Sequence, residues 1–505
     1  MLSEVRSAAC PPCPALFNLA AYVLARTDDQ PGKIALRLLR PTGDECWTYG
    51  RLSRAVRGIA GGLQARGLAP GAKVLLRIDN SVDFPLAFLG AVAAGYVPVA
   101  APAALTVPEI TRLTVALNPA LIIAAPGITL PDPGGFPVLG TGALRAMEDW
   151  PPAAFDMGDP SRPAYMVYTS GTSGQPRAVV HAHRAIWARR MMWHGWYGLQ
   201  DSDRVLHAGA MNWTFTLGTG LFDPWAAGAT ALVPVAGTRP ADLAPVLRRS
   251  EATLFAAAPG VYRQMLKSAP RLDLPDLRHG LTAGEALAAP VRDAWLAATG
   301  KPLYQAYGLS ECSTFISSCP ARPAPDDSTG YAQPGRSVAI IGQDGAPVPR
   351  GTVGVLAVHR SDPGLFLTYD GAGDERRAKF AGEWFLTGDL ATMADDGAIR
   401  ILGRSDDMMN AGGFRVAPQE VEAALATCPD VGEVAVIELV AGPGRSIIGA
   451  FFTGSVLPET LAAHAVARLA RYKCPRHYQR LDQLPLTATG KINRRALRAQ
   501  WIPEP

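Results

Sequence analysis

The sequence predicts an α/β protein. It has a large N-terminal domain of layered α/β subdomains with a β subdomain, then a small, mobile α+β C-terminal domain. Three observations predict this. The chain's 505 residues exceed what one hydrophobic core organises. Helical and strand patterns alternate through its first half. The texture then changes twice, after residue 330 and from Arg404.

In chain order, "LSRAVRGIAGGLQAR" (52–66) places Val56, Ile59 and Leu63 on one helical face, and Gly67 follows as a stop signal. "KVLLRI" reads as a strand. The apolar run "FLGAVAAGYVPVAAPAAL" (88–105) has the length of a membrane span, but it is mostly Ala and Gly and is interrupted by Pro98 and Pro102. It reads as a buried helix ending near Gly95, then the buried strand "YVPVAA". Later, "ADLAPVLRRS" is helical, "ATLFAAA" a strand and "VYRQMLKS" helical, which together imply a largely parallel sheet. After residue 330, "SVAIIGQDGAPV", "GVLAVHR" and "AIRILGR" are short strands with Gly, Asp and Pro turns. Beyond Arg404 come the helix "APQEVEAALATC", the strands "VGEVAVIEL" and "SIIGAFFTG", and the helix "ETLAAHAVARLARY". The polar, Gly-containing "GRSDDMMNAGG" (403–413) reads as a linker. The expected domains are therefore 1–405 and 406–505.

A net charge of +4 over this length indicates neither a nucleic-acid coat nor a polybasic membrane anchor. Seven scattered cysteines argue for reduced thiols, and Cys10 and Cys13 form one CxxC spacing with no second pair to complete a metal site. The N-terminus has no secretory pattern, so the expected setting is cytoplasmic, without a membrane span.

One stretch carries chemistry on its own. "YTSGTSGQPRAVVHAHR" (168–184) follows the strand-like "AYMVY" and gathers Thr169, Ser170, Gly171, Thr172, Ser173 and Gly174 before Arg177. Glycines let backbone N–H groups converge on an anion, hydroxyls add donors, and arginine adds a fixed charge. The loop lies at a strand's C-terminal end, where α/β sheets bind ligands. It matches no Walker A, Rossmann or nucleophile-elbow pattern. The plain alternative is a surface loop rich in Gly and Ser.

Four further stretches lie downstream: "TAGEAL" (282–287), "YQAYGLSEC" (304–312), "WFLTGDLATMADDGAIRILGRSDDMMNAGGFRVAPQEVE" (384–422) and "LPLTATGKINRRALR" (484–498). With the loop, in this order and spacing, they resemble the motifs of the adenylate-forming superfamily. That superfamily comprises acyl-CoA synthetases, peptide-synthetase adenylation domains and firefly-type luciferases. The resemblance runs from "WTYGRLSRAV" (47–56) to Arg498 and is nearest to stand-alone acyl-CoA ligases of benzoate or short- and medium-chain type. It implies that ATP, a carboxylic acid and Mg²⁺ meet in the large domain to form an acyl-adenylate, which coenzyme A then takes as a thioester. Alternative acceptors are a carrier protein or, in a luciferase-like enzyme, oxygen; an inactive nucleotide binder is the remaining reading.

By the same resemblance, the loop holds the ATP phosphates, with Arg177 and Ala178 standing where Lys and Gly are usual. Gly284, Glu285 and Ala286 line the adenine, Tyr307 stacks on it beside Gly308, and Ser310 lies near the α-phosphate. Glu311 is the Mg²⁺ ligand. Asp389 accepts the ribose hydroxyls, Arg404 adds a second ribose contact, and Arg415 reaches phosphate. Asp406 is the hinge, Gly412 and Gly413 leave room for the pantetheine arm, and Lys491 is the catalytic lysine. Its charge offsets the meeting of carboxylate and phosphate. The acyl pocket falls to Asn212, Trp213, Phe215, Ala283 and Leu309, a flat or apolar lining. No Arg or Lys lies within 207–220, which disfavours a dicarboxylic acid. The arginine-rich stretches 471–480 and 494–498 read either as a support for the anionic end of coenzyme A or as a solvated face. The expected partners are small molecules, not nucleic acid, with the chain acting as a monomer or homodimer.

Overall fold

The computed structural model describes residues 1–7, 11–169, 177–269, 271–405, 407, 409–411, 414–442, 445–487 and 492–501. Of the sequence-predicted site residues, Ser170, Gly171, Thr172, Ser173, Gly174, Asp406, Gly412, Gly413 and Lys491 lie outside the described residues, as does Cys10.

A nine-stranded sheet forms the centre of the site. Its strands Leu303–Leu309, His279–Ala283, Leu254–Ala257, Arg204–His207, Thr230–Pro234 and Ile34–Leu39 run parallel in that spatial order. Antiparallel edges close it at Ser313–Ser317 with Tyr331–Ala332, and at Glu45–Thr48. The central strands read as continuous apolar runs because helices cover both faces. A seven-stranded sheet stands beside it. Pro163–Thr169, Val97–Ala100, Lys73–Arg77, Leu121–Ala124 and Val138–Gly140 are parallel, and Arg177–Ala182 and Thr368–Tyr369 are added antiparallel. The third sheet is antiparallel, with Val338–Ile341, Gly354–His359, Trp384–Met393 and Ile399–Arg404 among its strands.

The C-terminal unit builds its own core. The sheet Val431–Gly442, Arg445–Gly454 and His477–Arg480 packs on one face against Pro418–Leu425 and Pro458–Arg468, burying Val421, Val436, Ile448, Phe452 and Leu461, and on the other against Arg494–Gln500, burying Ile437, Phe451 and Leu497.

Several expectations shift in detail. The first long helix begins at Tyr49, a turn before the predicted start, because the Thr48 side chain accepts the Arg51 N–H as an N-cap. The apolar run after residue 88 divides as read: helix Asp83–Ala93, Gly95 at φ +83°, then strand Val97–Ala100. Among the described residues, no helix is long and apolar enough to cross a membrane. The helix predicted over 459–472 stops at Arg468, and a separate turn of 3-10 helix covers Arg471–Lys473. The phosphate-loop candidate connects Pro163–Thr169 to Arg177–Ala182, which pair antiparallel with Thr169 opposite Arg177. It is a hairpin connection, where a strand-to-helix crossover would be the usual α/β arrangement.

Candidate active site

The carboxyl ends of the parallel strands converge on a cleft of ≈ 2110 Å³. Asn212 and Trp213 reach it from the segment after Arg204–His207, Glu285 from the segment after His279–Ala283, and Tyr307 and Glu311 from the hairpin after Leu303. Asp389 and Arg404 face it from the third sheet, where they are direct cross-strand partners. Glu420, Arg494 and Arg498 of the C-terminal unit complete the lining.

The hairpin is shaped by Gly308. Its register shifts between Tyr307 and Gly308, and a Cβ on Gly308 would lie 2.1 Å from the Ser313 carbonyl oxygen. Only glycine lets the two backbones approach this closely. The turn so formed presents Ser310 and Glu311. Its back is tied down by His181 Nε2, 2.8 Å from the Ser310 carbonyl. That contact makes Nε2 the donor and leaves His181 Nδ1 buried without a partner among the described residues. Burial depresses the His181 pKa to about 4, so the ring is neutral. It stacks on Tyr165 at 4.8 Å, and both line a cavity of ≈ 20 Å³ behind Ser310.

On the cleft wall, the Tyr307 hydroxyl donates to Asp389 Oδ2. Burial first, and then the Asp389 charge, raise the Tyr307 pKa well above the ordinary phenol value, which keeps the hydroxyl a donor. Arg404 Nη1 donates to the Thr387 carbonyl at 3.0 Å and stands 3.9 Å from Asp389 Oδ2. The Asp389 N–H in turn donates to Thr387 Oγ1 at 3.1 Å. The carboxylate is thus held by a tyrosine from a different sheet, on a backbone that Thr387 anchors.

Glu311 lies within a second network. Tyr369 donates its hydroxyl to Glu311 Oε1 at 2.6 Å, and Lys379 Nζ donates to the same tyrosine oxygen at 2.8 Å. Among the described residues, Glu311 Oε2 accepts no hydrogen bond, and no cluster of three His, Cys, Asp or Glu side chains exists to cage a metal. One open carboxylate oxygen on a cleft wall fits Mg²⁺, which keeps waters and takes substrate phosphate oxygens for most of its shell. Arg177, at the far end of the hairpin, pairs with Glu375 at 2.5 Å and lies 5.4 Å over the Tyr369 ring.

The predicted acyl-pocket residues separate into two groups. Asn212, Trp213 and Leu309 line the cleft. Phe215 and Ala283 are buried behind it, Phe215 stacked on Trp196 at 5.7 Å and edge-on to Trp213 at 5.2 Å. The Trp213 indole covers Gly284: a Cβ there would sit 2.7 Å from its ring, and Gly284 has φ +94°. Gly284 and Ala286 line the cleft beside Glu285, whose carbonyl accepts Gln305 Nε2 at 3.4 Å. Arg415 belongs to strand Phe414–Val416, paired with Asn410.

Residues that sequence reasoning passed over complete the surroundings. Arg189 lies directly against Gly218, so a basic group does reach the segment 207–220 from another helix. It is fully engaged, with Asp223 at 2.6 Å and with Tyr197, Thr219 and Ser313. Its charge is compensated and unavailable to a second carboxylate. Arg494 likewise pairs with Glu422 at 2.6 Å and is mostly buried, so it braces the C-terminal helix against Pro418–Leu425. Tyr369 and Lys379 carry no motif signal; only the fold brings them to Glu311.

Residues 24–369 match the AMP-binding enzyme family, and residues 420–491 match the AMP-binding enzyme C-terminal domain. The benzoate–CoA ligase of Thauera aromatica is 31% identical over 490 residues, covering 90% of this chain and 90% of its own length. The crystal structure of a benzoate CoA ligase from Burkholderia xenovorans LB400 superposes with a TM-score of 0.87 at 29% identity, over 96% of this chain and 100% of that one. An anthranilate CoA ligase solved with anthranoyl-AMP gives a TM-score of 0.85 at 26% identity, over 96% and 98% of the two chains. The chain belongs to the AMP-binding enzyme family.

Proposed function

We propose that this AMP-binding enzyme is an ATP-dependent carboxylate–CoA ligase whose acid is a small aromatic one. It is an acid–thiol ligase, with ATP, Mg²⁺ and coenzyme A as its cofactor and co-substrates. In the first step, a carboxylate oxygen attacks the α-phosphorus of ATP, the bond to the bridging oxygen breaks, and pyrophosphate leaves. In the second, the coenzyme A sulfur attacks the acyl carbonyl, AMP leaves, and the thiol proton is released.

The observation that carries the nucleotide part is the Tyr307–Asp389–Arg404 arrangement facing Glu311 across one cleft. A carboxylate aimed by a fixed tyrosine donor suits a sugar diol, because its oxygens accept from hydroxyl groups. The tyrosine, anchored through its hydroxyl, offers its ring to a purine. Bound at Glu311, Mg²⁺ would neutralise phosphate charge. The hairpin loop and Arg177 serve the phosphates. Ser310 stands near the α-phosphate on a turn fixed by His181 and Gly308. Lys491, carried by the C-terminal unit, bridges acid and phosphate, and the unit turns about Asp406 between the two half-reactions. The bridge Arg263–Glu433 at 2.6 Å is one polar tie between the units, of a kind that a rotation can break.

The aromatic acid is supported by the Trp213 indole on Gly284, backed by Phe215 and Trp196, and by the benzoate and anthranilate ligases the chain resembles. A rigid flat wall favours a planar ring over a mobile alkyl chain. A cytoplasmic setting belongs to this reading and is in keeping with the free thiols of Cys13, Cys46, Cys312, Cys319, Cys428 and Cys474. The test is a panel of benzoate, hydroxybenzoates, cyclohexanecarboxylate, hexanoate and malonate, with MgATP and coenzyme A, assayed for thioester. The aromatic acids are expected to give the highest kcat/KM; a preference for hexanoate or malonate would overturn the assignment.

A further inference from the structure

Lys379 stands between helix Gly373–Ala378 and strand Phe380–Ala381, in "RRAKFAGEW", and lines the same cleft as Ser310, Glu311 and Arg177. Its ammonium is 2.8 Å from the Tyr369 hydroxyl oxygen and 3.7 Å from Glu311 Oε1. It also lies 5.1 Å over the Tyr369 ring and 5.9 Å over the Phe385 ring. The side chain is about one-third exposed, so it is neither a core residue nor a freely solvated one. Protons are donated in series: Lys379 to Tyr369, and Tyr369 to Glu311.

We propose that Lys379 is a binding residue for the β- and γ-phosphates of ATP, acting beside Arg177. The inference rests on the reading of the cleft as an ATP site, where charge must be balanced. ATP carries about four negative charges near neutral pH, and one Mg²⁺ offsets two of them. Glu311, as the metal's protein ligand, adds another negative charge. Arg177 is a single cation and already faces Glu375. A second cation at this corner is Lys379, 3.7 Å from Glu311. Its present anionic partner is the carboxylate the metal would take. With a divalent ion held by Glu311, the Lys379 ammonium would lose its anionic partner, and a phosphate chain in the cleft would offer it another. A lysine suits such an exchange: it is a compact point charge with three donors on a flexible stem. Tyr369 stays on Glu311 and keeps the carboxylate aimed as Lys379 leaves it.

The test uses the full-length protein and three variants, Lys379→Met, Lys379→Arg and Tyr369→Phe. Equilibrium binding is measured for MgATP, for Mg-pyrophosphate and for AMP, together with Tm. Lys379→Met is expected to weaken MgATP and pyrophosphate binding by roughly tenfold to thirtyfold while leaving AMP affinity and Tm unchanged, because AMP has no β- or γ-phosphate. Lys379→Arg should recover most of the loss. Tyr369→Phe should weaken MgATP through misplacement of Glu311, again with AMP spared. If Lys379→Met binds MgATP as tightly as wild type, or loses AMP and MgATP affinity equally, the assignment is overturned. Failure of the wild-type protein to bind MgATP would refute instead the reading of the cleft on which the assignment rests.

Discussion

Replacing Asp389 by Asn probes the nucleotide site where its geometry is most explicit. The carboxylate accepts the Tyr307 hydroxyl and lies 3.9 Å from Arg404, and in the proposed reading it also accepts the two ribose hydroxyls. A hydrogen bond to a charged group contributes roughly 1.5–3 kcal/mol. Asn keeps one acceptor oxygen, loses the charge, and adds an amide donor toward Arg404. One ribose bond should therefore be lost and the other weakened, at a combined cost of about 3 kcal/mol, or roughly a hundredfold in Kd. Stability should change little, since a partly exposed pair at this distance contributes about 1 kcal/mol or less. The assay is equilibrium binding of ATP, 2′-deoxy-ATP and 3′-deoxy-ATP to both proteins. Wild type should discriminate against both deoxynucleotides, and Asp389→Asn should discriminate against them much less, closing a double-mutant cycle. Binding of ATP by Asp389→Asn within threefold of wild type, or unchanged discrimination, would refute the ribose assignment.

Other outcomes follow from the same account. Lys491→Ala should abolish adenylate formation while keeping much of the thiol step from supplied acyl-adenylate; near wild-type pyrophosphate release would show the role is misassigned. Trp213→Ala should raise KM for an aromatic acid by roughly tenfold with KM for ATP unchanged, as expected for removal of one apolar wall. Four buried histidines set an acid limit on stability. Burial depresses His181 and His279 to about 4, and His183 and His207 to about 3. Each is neutral when folded but takes a proton below about pH 6.5 when unfolded, so their contribution is complete above pH 6.5 and is lost as pH falls toward 4. At pH 5 each costs about 2 kcal/mol, and Tm should drop steeply between pH 6.5 and 5; a flat Tm across that window would contradict the burial of these rings.

Much of the architecture was legible because it rests on local pattern. The Val56–Ile59–Leu63 face, the Gly95 stop and the Ala- and Gly-rich run all became what their periodicity and turn chemistry implied. The motif residues Tyr307, Glu311, Asp389 and Arg404 do meet on one cleft. What stayed hidden depends on contacts far apart in sequence. Phe215 differs from Trp213 by two positions, yet it packs on Trp196 in the core while Trp213 lines the cleft. His181 was visible as a letter, but its hold on the Ser310 carbonyl spans 129 positions. Tyr369 and Lys379 reach Glu311 across two sheets, and no spacing rule foretells that meeting. The carrying capacity of the arginine-rich tail was also unreadable, because Glu422, which engages Arg494, lies 72 positions upstream.

The most direct test of the central claim is exchange of labelled pyrophosphate into ATP with coenzyme A left out. The account predicts exchange that requires both Mg²⁺ and an aromatic acid, since the acyl-adenylate forms and reverses before any thiol arrives. Exchange that proceeds without acid, or that appears only when coenzyme A is present, would contradict a two-step ligase working through an enzyme-held adenylate.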